Sequence, residues 1–227
     1  MKARPVLIAH ILGPLVLLTV VMLTGCATSQ PPAGQRTAAP GPPAGTPAEQ
    51  LREIATRVTR EYSRFLRTPA IVIEPRWDGV QSTSREVRVG GVLLAGTRAT
   101  STPPLTSIGA AGFAHELSHV VLRHHTATQC IQVSTRYLCE RDANVEAVRV
   151  STIAWGLTHA QAVALIDAKM LDTVAGKLAG ETLVARDPGH KHPCLEARDF
   201  RTHFRAHFPA EVSALPVMPG GCATVTE

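Results

Sequence analysis

The chain has 227 residues, 44% of them hydrophobic but only 4% aromatic, and a formal charge of +5. That length suits one domain with extensions, and its core has to come mostly from Ala, Val, Leu and Ile. The positive excess is small and no Lys/Arg cluster stands out, which argues against nucleic acid as a partner.

The N-terminal segment reads as targeting, not fold. Lys2 and Arg4 form a basic n-region, Val6 to Leu23 is an apolar run, and Leu23-Thr24-Gly25-Cys26 closes it. A small residue before Cys after such a run resembles a bacterial lipoprotein signal, in which residues 1–25 are removed and Cys26 is lipidated. The run is long enough to span a bilayer, but Pro14 and the Leu-Thr-Gly-Cys ending favour lipidation over an uncleaved anchor. Loss of Lys2 and Arg4 removes two positive charges and lowers the formal charge from +5 to +3. The protein is then expected in the bacterial cell envelope, held at the membrane by its lipid. Ala27 stands where the lipoproteins it resembles carry Asp for inner-membrane retention. An outer-membrane anchor facing the periplasm is therefore expected.

That compartment is oxidising, and the remaining cysteines, Cys130, Cys139, Cys194 and Cys222, are even in number, so disulfides are expected. Four cysteines allow three connectivities; proximity along the chain favours Cys130–Cys139 and Cys194–Cys222. A four-cysteine zinc site would need Cys-x-x-Cys pairs, which are lacking.

Residues 26–45 are rich in Pro, Ala and Gly and nearly uncharged, a composition expected of a disordered tether. The domain is expected over 46–227. Thr46-Pro47-Ala48-Glu49 reads as a capping box, and Leu51, Ile54, Val58, Tyr62 and Phe65 recur at helical spacing to about Arg67. Ala70 to Glu74 is a β-type run stopped by Pro75. Gln81 to Arg85 reads as a turn and Glu86 to Leu94 as a second strand. Thr97 to Pro104 is a polar loop. An edge strand of such a sheet can take an extended peptide as a further strand, although ordinary core strands read the same way.

Thr106 or Ser107 can cap the next helix, expected to run to about His125 and to be buried, since it is apolar on nearly all sides. It carries His115-Glu116-Leu117-Ser118-His119. Positions i and i+4 lie one above the other on a helix, so both imidazoles can point at one metal ion. Glu116 falls about 100° further round, beside that ion. Two neutral imidazoles and an adjacent carboxylate base are the parts of a zinc hydrolase. Gly109 and Gly112 let another backbone come close.

Thr126 to Leu138 reads as a loop, and a helix follows from Glu140 to about Trp155, ended by Gly156. A catalytic zinc needs a third protein ligand. The sixth residue after His119 is His125, but no Gly intervenes, so the Gly-x-x-His extension is lacking. Glu140 is the choice instead, sharing a helix face with Ala143, Asn144, Ala147 and Ser151 that can pack against the glycine side of the metal helix. Asn144, four residues on, can hold the distal nitrogen of a ligand His. His124 and His125 read as surface residues at a helix end. Thr158-His159-Ala160-Gln161 opens a further helix through Met170 or Leu178, Asp187-Pro188-Gly189 is a turn, and Leu195 to His207 is helical. The tail reads as irregular.

His115-Glu116-Leu117-Ser118-His119 with Glu140-x-x-Ala143-Asn144 resembles the gluzincin peptidases of metallopeptidase family 48, which includes HtpX-like and CAAX prenyl proteases and several periplasmic lipoproteins. Gly156 to Val163 resembles the Gly-Tyr-Asp-Pro-x-x-Ala-Val turn of that family. His192-Pro193 followed by Arg198 is similar to its His-Pro-x-x-x-x-Arg. The resemblance covers about Ser107 to Arg198. It implies an α+β fold, a mostly helical zincin-type domain with a small sheet beside the metal helix. It implies one Zn²⁺ per chain on His115, His119 and Glu140, with Glu116 as general base and His192 as donor to the oxyanion. Arg198 would pair with Glu140, Asp142 or a substrate carboxylate. The expected activity is a zinc metalloendopeptidase acting on protein or peptide substrates, misfolded envelope proteins among them. The family usually has Asp where this chain has Asn144, and a neutral acceptor makes its histidine less basic. The alternative is a non-catalytic zinc-binding or structural envelope lipoprotein; the presence of Glu116 argues against it, because binding alone needs no base.

Overall fold

The computed structural model describes residues 45–94, 105–132, 134–178 and 192–223. The segment read as a signal, Cys26 and all but Gly45 of the segment read as a tether lie outside these residues, as do the loop read at Thr97 to Pro104 and the turn read at Asp187-Pro188-Gly189. The described residues form an α+β arrangement, mostly helical with one three-stranded sheet. None of the described helices is long and apolar enough to cross a membrane.

Helix α1 spans Pro47–Tyr62. Its capping box is complete: Thr46 Oγ1 accepts from the Glu49 N–H at 3.3 Å, and Glu49 Oε2 accepts from the Thr46 N–H at 2.7 Å. These bonds satisfy amides that have no partner inside the helix. Leu51, Ile54 and Val58 are buried on one face. The helix stops at Tyr62, earlier than Arg67, because Ser63 is extended; Phe65 leaves the apolar stripe and stands exposed.

Strands β1 (Ala70–Glu74), β2 (Val80–Ser82) and β3 (Glu86–Gly90) pair in the order β1-β3-β2. β1 runs parallel to β3, with Ile71 opposite Val87, and β2 runs antiparallel to it, with Ser82 opposite Val87. The sequence reading missed β2, taking Gln81 onward as a turn. Val-Gln-Ser has little strand character of its own, and its pairing with β3 makes it a strand. β3 is shorter than expected, because the chain coils at Gly91–Leu93, where a glycine pair weakens the strand.

Helix α2 spans Ser107–Val121, capped by Thr106 Oγ1, which accepts from the Gly109 N–H at 3.2 Å. Phe113, Ala114 and Leu117 are fully buried. A Cβ on Gly109 would lie 2.9 Å from Leu93 Cβ, and one on Gly112 would lie 3.1 Å from Val80 Cγ2. The glycine side of α2 therefore receives β2 and the chain beyond β3, not the α4 face expected there. α2 ends at Val121, short of His125. Arg123 is left-handed (φ 58°), and His124–Thr126 forms a 3-10 turn.

Helix α3 (Thr128–Ile131) occupies part of the segment read as a loop. Helix α4 spans Arg136–Trp155, a turn longer at its start than expected, and ends at Gly156 with φ 65°. Ala143, Ala147 and Ser151 are buried, and α4 packs against α2. Helix α5 is His159–Leu178, entered through the Thr158–Gln161 box, with Gln161 Oε1 2.9 Å from the Thr158 amide. Helix α6 is Pro193–His207, and the tail contains a short helix α7, Pro209–Ser213.

Both disulfides pair as expected. Cys130–Cys139 joins α3 to α4, with Cα atoms 5.6 Å apart, and Cys194–Cys222 joins α6 to the C-terminal turn at 5.3 Å. The core is aliphatic, with Phe113, Phe200 and Phe204 among its largest fully buried side chains. One buried ion pair crosses it: Arg201 Nε and Nη2 donate to Asp167 Oδ1 and Oδ2, each at 2.8 Å, and Asp167 is 1% exposed. Removing one partner leaves a buried charge unpaired. Arg201→Met is expected to lower the unfolding free energy by about 3–5 kcal/mol in urea titration. A loss below about 1 kcal/mol would show that Asp167 regains water.

Candidate metal centre

His115 and His119 sit one turn apart on the buried α2, and α4 packed across it brings in Glu140 from the next ligand-bearing helix. Three atoms converge. His115 Nε2 lies 3.1 Å from Glu140 Oε2, His119 Nε2 lies 3.3 Å from the same oxygen, and the two Nε2 atoms are 3.2 Å apart. Ligands on zinc at bond lengths of about 2.0–2.1 Å are separated by about 3.3–3.4 Å in a tetrahedron. The three measured separations are those of one tetrahedral face, and the set of two imidazole nitrogens and one carboxylate oxygen is that of a catalytic zinc site with one open position. The residues present therefore fit the ion.

The electrostatics favour the ligating protonation states. Burial holds the His115 imidazole below its ordinary pKa, and the Lys169 ammonium adds to the effect, so the ring is neutral. Burial alone would raise the Glu140 carboxyl. Hydrogen bonds from the His115 and His119 rings outweigh it and hold the group well below the usual carboxylate range.

The support of His119 differs from the expectation. Its Nδ1 lies 3.0 Å from Nδ1 of His124, which is buried, not on the surface. With the metal on Nε2, the His119 Nδ1–H donates and His124 accepts, which places the His124 proton on its own Nε2. Burial and the neighbouring His119 lower His124 to about 4, so it is a neutral acceptor. The left-handed Arg123 is what folds His124 back; a continued helix would carry it round to another side. Asn144 makes no such bond: its Oδ1 and the His115 Nδ1 are both buried without a hydrogen-bond partner.

Glu116 is held from the sheet. Ser82 Oγ on β2 donates to Glu116 Oε2 at 2.7 Å and lies 3.0 Å from His125 Nε2. The serine hydroxyl has one proton and gives it to the carboxylate, so His125 Nε2–H donates to the serine. Burial lowers the His125 pKa. Glu116 thus rests on three elements: α2, β2 and the turn after α2.

These residues open on a cleft of about 920 Å³, walled by Trp77 and Gly79 to Ser82 on the edge strand side, by Ile131, Arg136 and the Cys130–Cys139 disulfide, and by Lys169 from α5. His192 instead caps α6, its Nδ1 accepting from the Cys194 N–H at 3.2 Å. Arg198 donates to the carbonyl of Cys222 and so ties α6 to the C-terminal turn. Neither is placed among the walls of the cleft. His124, Cys130 and Cys139 form a second cluster of metal-ligand type, but its two sulfurs are joined to each other.

Ser82, His124, His125 and Lys169 escaped the sequence reading as site residues. The first three carry no local periodic signal. Lys169 carries a weak one: it follows Ile166 by three residues and precedes Thr173 by four, at the edge of the buried stripe of α5. The chain matches no family model, no curated protein and no solved structure.

Proposed function

We propose that the protein is a zinc metalloendopeptidase with one Zn²⁺ on His115, His119 and Glu140, a zincin-type domain of the family 48 kind. We further propose that it is held by a lipid on Cys26 at the periplasmic side of the bacterial outer membrane. The observation that carries this reading is the tetrahedral face of His115, His119 and Glu140 with Glu116 beside it in an open cleft.

When bound, zinc supplies a Lewis acid for a peptide carbonyl and for water. Glu116 takes a proton from the attacking water and passes it to the leaving amine. Ser82 occupies Oε2 of the carboxylate, which leaves Oε1 for that proton. Glu140 lies across the helix interface and His124 steadies His119, so the ligand set is positioned before substrate arrives. β2 is an edge strand, and Val80–Ser82 walls the cleft. An extended substrate can pair with it and run past Glu116. That geometry suits unfolded or misfolded envelope polypeptides, whose backbone is free to pair.

The test is the mature protein purified with zinc, assayed for metal content and for cleavage of casein. About one zinc per chain, cleavage lost on chelation and cleavage regained with zinc are expected. A protein that binds one zinc and cleaves neither casein nor a mixed peptide library is a zinc-binding lipoprotein, not a peptidase.

A further inference from the structure

Lys169 stands on α5, half-buried, at a junction. It walls the large cleft together with His115, Glu116, His119 and Glu140. It also walls a second cavity of about 140 Å³ behind the ligands, with Asn144, Thr173 and Glu196. A lysine taken this far out of water loses hydration, and burial pushes its pKa down while Glu116, Glu140 and Glu196 push it back up.

Two of those three carboxylates have other partners. Glu140 is shared by His115 and His119, and Glu116 accepts from Ser82. A counter-ion role alone would also be served from solvent, since the cleft is open. Arg136 also brings a guanidinium to the cleft wall, at the start of α4, but Lys169 alone of the two shares the smaller cavity with His115 and Glu140. His192, which the sequence suggested as donor to the oxyanion, uses its ring to cap α6. The carbonyl oxygen of a peptide attacked beside Glu116 gains negative charge within the walls that Lys169 helps to form.

We propose that Lys169 is a catalytic residue of this site, its ammonium stabilising the negative charge that grows on the substrate's carbonyl oxygen. This rests on the peptidase reading for its reaction and on the placement of Lys169 for its residue. In this role the ammonium is a fixed charge in a partly dry site, where such charges count for more than in water.

The experiment compares the zinc-loaded mature protein with Lys169→Met and Lys169→Arg, by metal analysis, casein kinetics and calorimetry. The calorimetric probes are N-phosphoryl-Leu-Trp, which presents a tetrahedral anion, and N-acetyl-Leu-Trp-amide, which is neutral. Lys169→Met is expected to keep its zinc, to lose about 10²–10³-fold in kcat with little change in KM, and to bind the phosphoryl dipeptide more weakly in proportion. The neutral dipeptide should bind all three proteins alike, and Lys169→Arg should restore most of the anion affinity. Unchanged binding of the phosphoryl dipeptide by Lys169→Met overturns the proposal, and so does loss of zinc from that variant, which would make Lys169 a structural counter-ion. If the wild type cleaves nothing, the peptidase reading fails, and the calorimetric arm still decides whether Lys169 receives an anion at the centre.

Discussion

Glu116→Gln is expected to keep one zinc per chain and to lose casein cleavage by about 10²–10⁴-fold, the range that a positioned acid–base group contributes. The amide is nearly the same size as the carboxylate and still accepts from Ser82 through its oxygen, so the 2.7 Å contact and the local packing survive. What disappears is the ability to take a proton. Glu116 is not one of the three converging ligands, so metal analysis of the variant should match the wild type. The two measurements separate the two readings of the chain. A peptidase loses turnover with its metal in place, whereas a zinc-binding lipoprotein shows no turnover to lose. If the variant retains cleavage within a few-fold of the wild type, Glu116 is not the base.

The second large effect falls on the metal. Glu140→Gln replaces the anionic ligand by a neutral amide, at a carboxylate held by two imidazoles and only 18% exposed. Its zinc affinity should fall by more than the roughly 10–100-fold expected for His124→Ala, which removes only an outer partner of His119. Thermal unfolding gives an independent reading. Free zinc at about a hundred times its Kd should stabilise the wild type by about 2.7 kcal/mol, and the same zinc concentration should leave Glu140→Gln close to its metal-free midpoint. Equal zinc affinity in Glu140→Gln and the wild type would remove Glu140 from the site. The order wild type, His124→Ala, Glu140→Gln is the specific expectation, because it follows from one residue touching the ion and the other touching only the ligand behind it.

Much of this site is visible along the chain because its strongest relation is local. His115 and His119 are four apart, and helical geometry alone stacks them. Caps are local as well, which is why Thr46–Glu49 and Thr158–Gln161 mark their helices correctly. Both disulfides follow proximity in sequence. Glu140 could be named from its helix and the small residues beside it, although the surface expected to meet α4 was the wrong one. The glycines of α2 turned out to serve the sheet, and the side that carries His115 and His119 serves α4.

Other parts depend on pairing or on a single backbone angle. β2 is three residues long and takes its conformation from β3, so Ser82 had no reason, read alone, to lie beside Glu116, 34 positions away. His124 looked like the frayed end of a helix because nothing in Arg123 announces a left-handed turn. Asn144 looked like a support for a histidine because helical spacing puts it on the right side, and yet His119 Nδ1 meets His124 while His115 Nδ1 and Asn144 Oδ1 have no hydrogen-bond partner. His192 and Arg198, carried by resemblance, were drawn into capping α6 and fastening Cys222.

The sequence by itself determined the helix that stacks His115 on His119, the helix that carries Glu140 and the cysteine pairs, since each rests on spacing within one helix or on nearness along the chain. Only the tertiary structure decided what surrounds them: Ser82 and His125 beside Glu116, His124 behind His119, and Lys169 in the cleft. Those contacts join separate elements, and the packing that brings the elements together is a property of the whole core, not of any short run of residues.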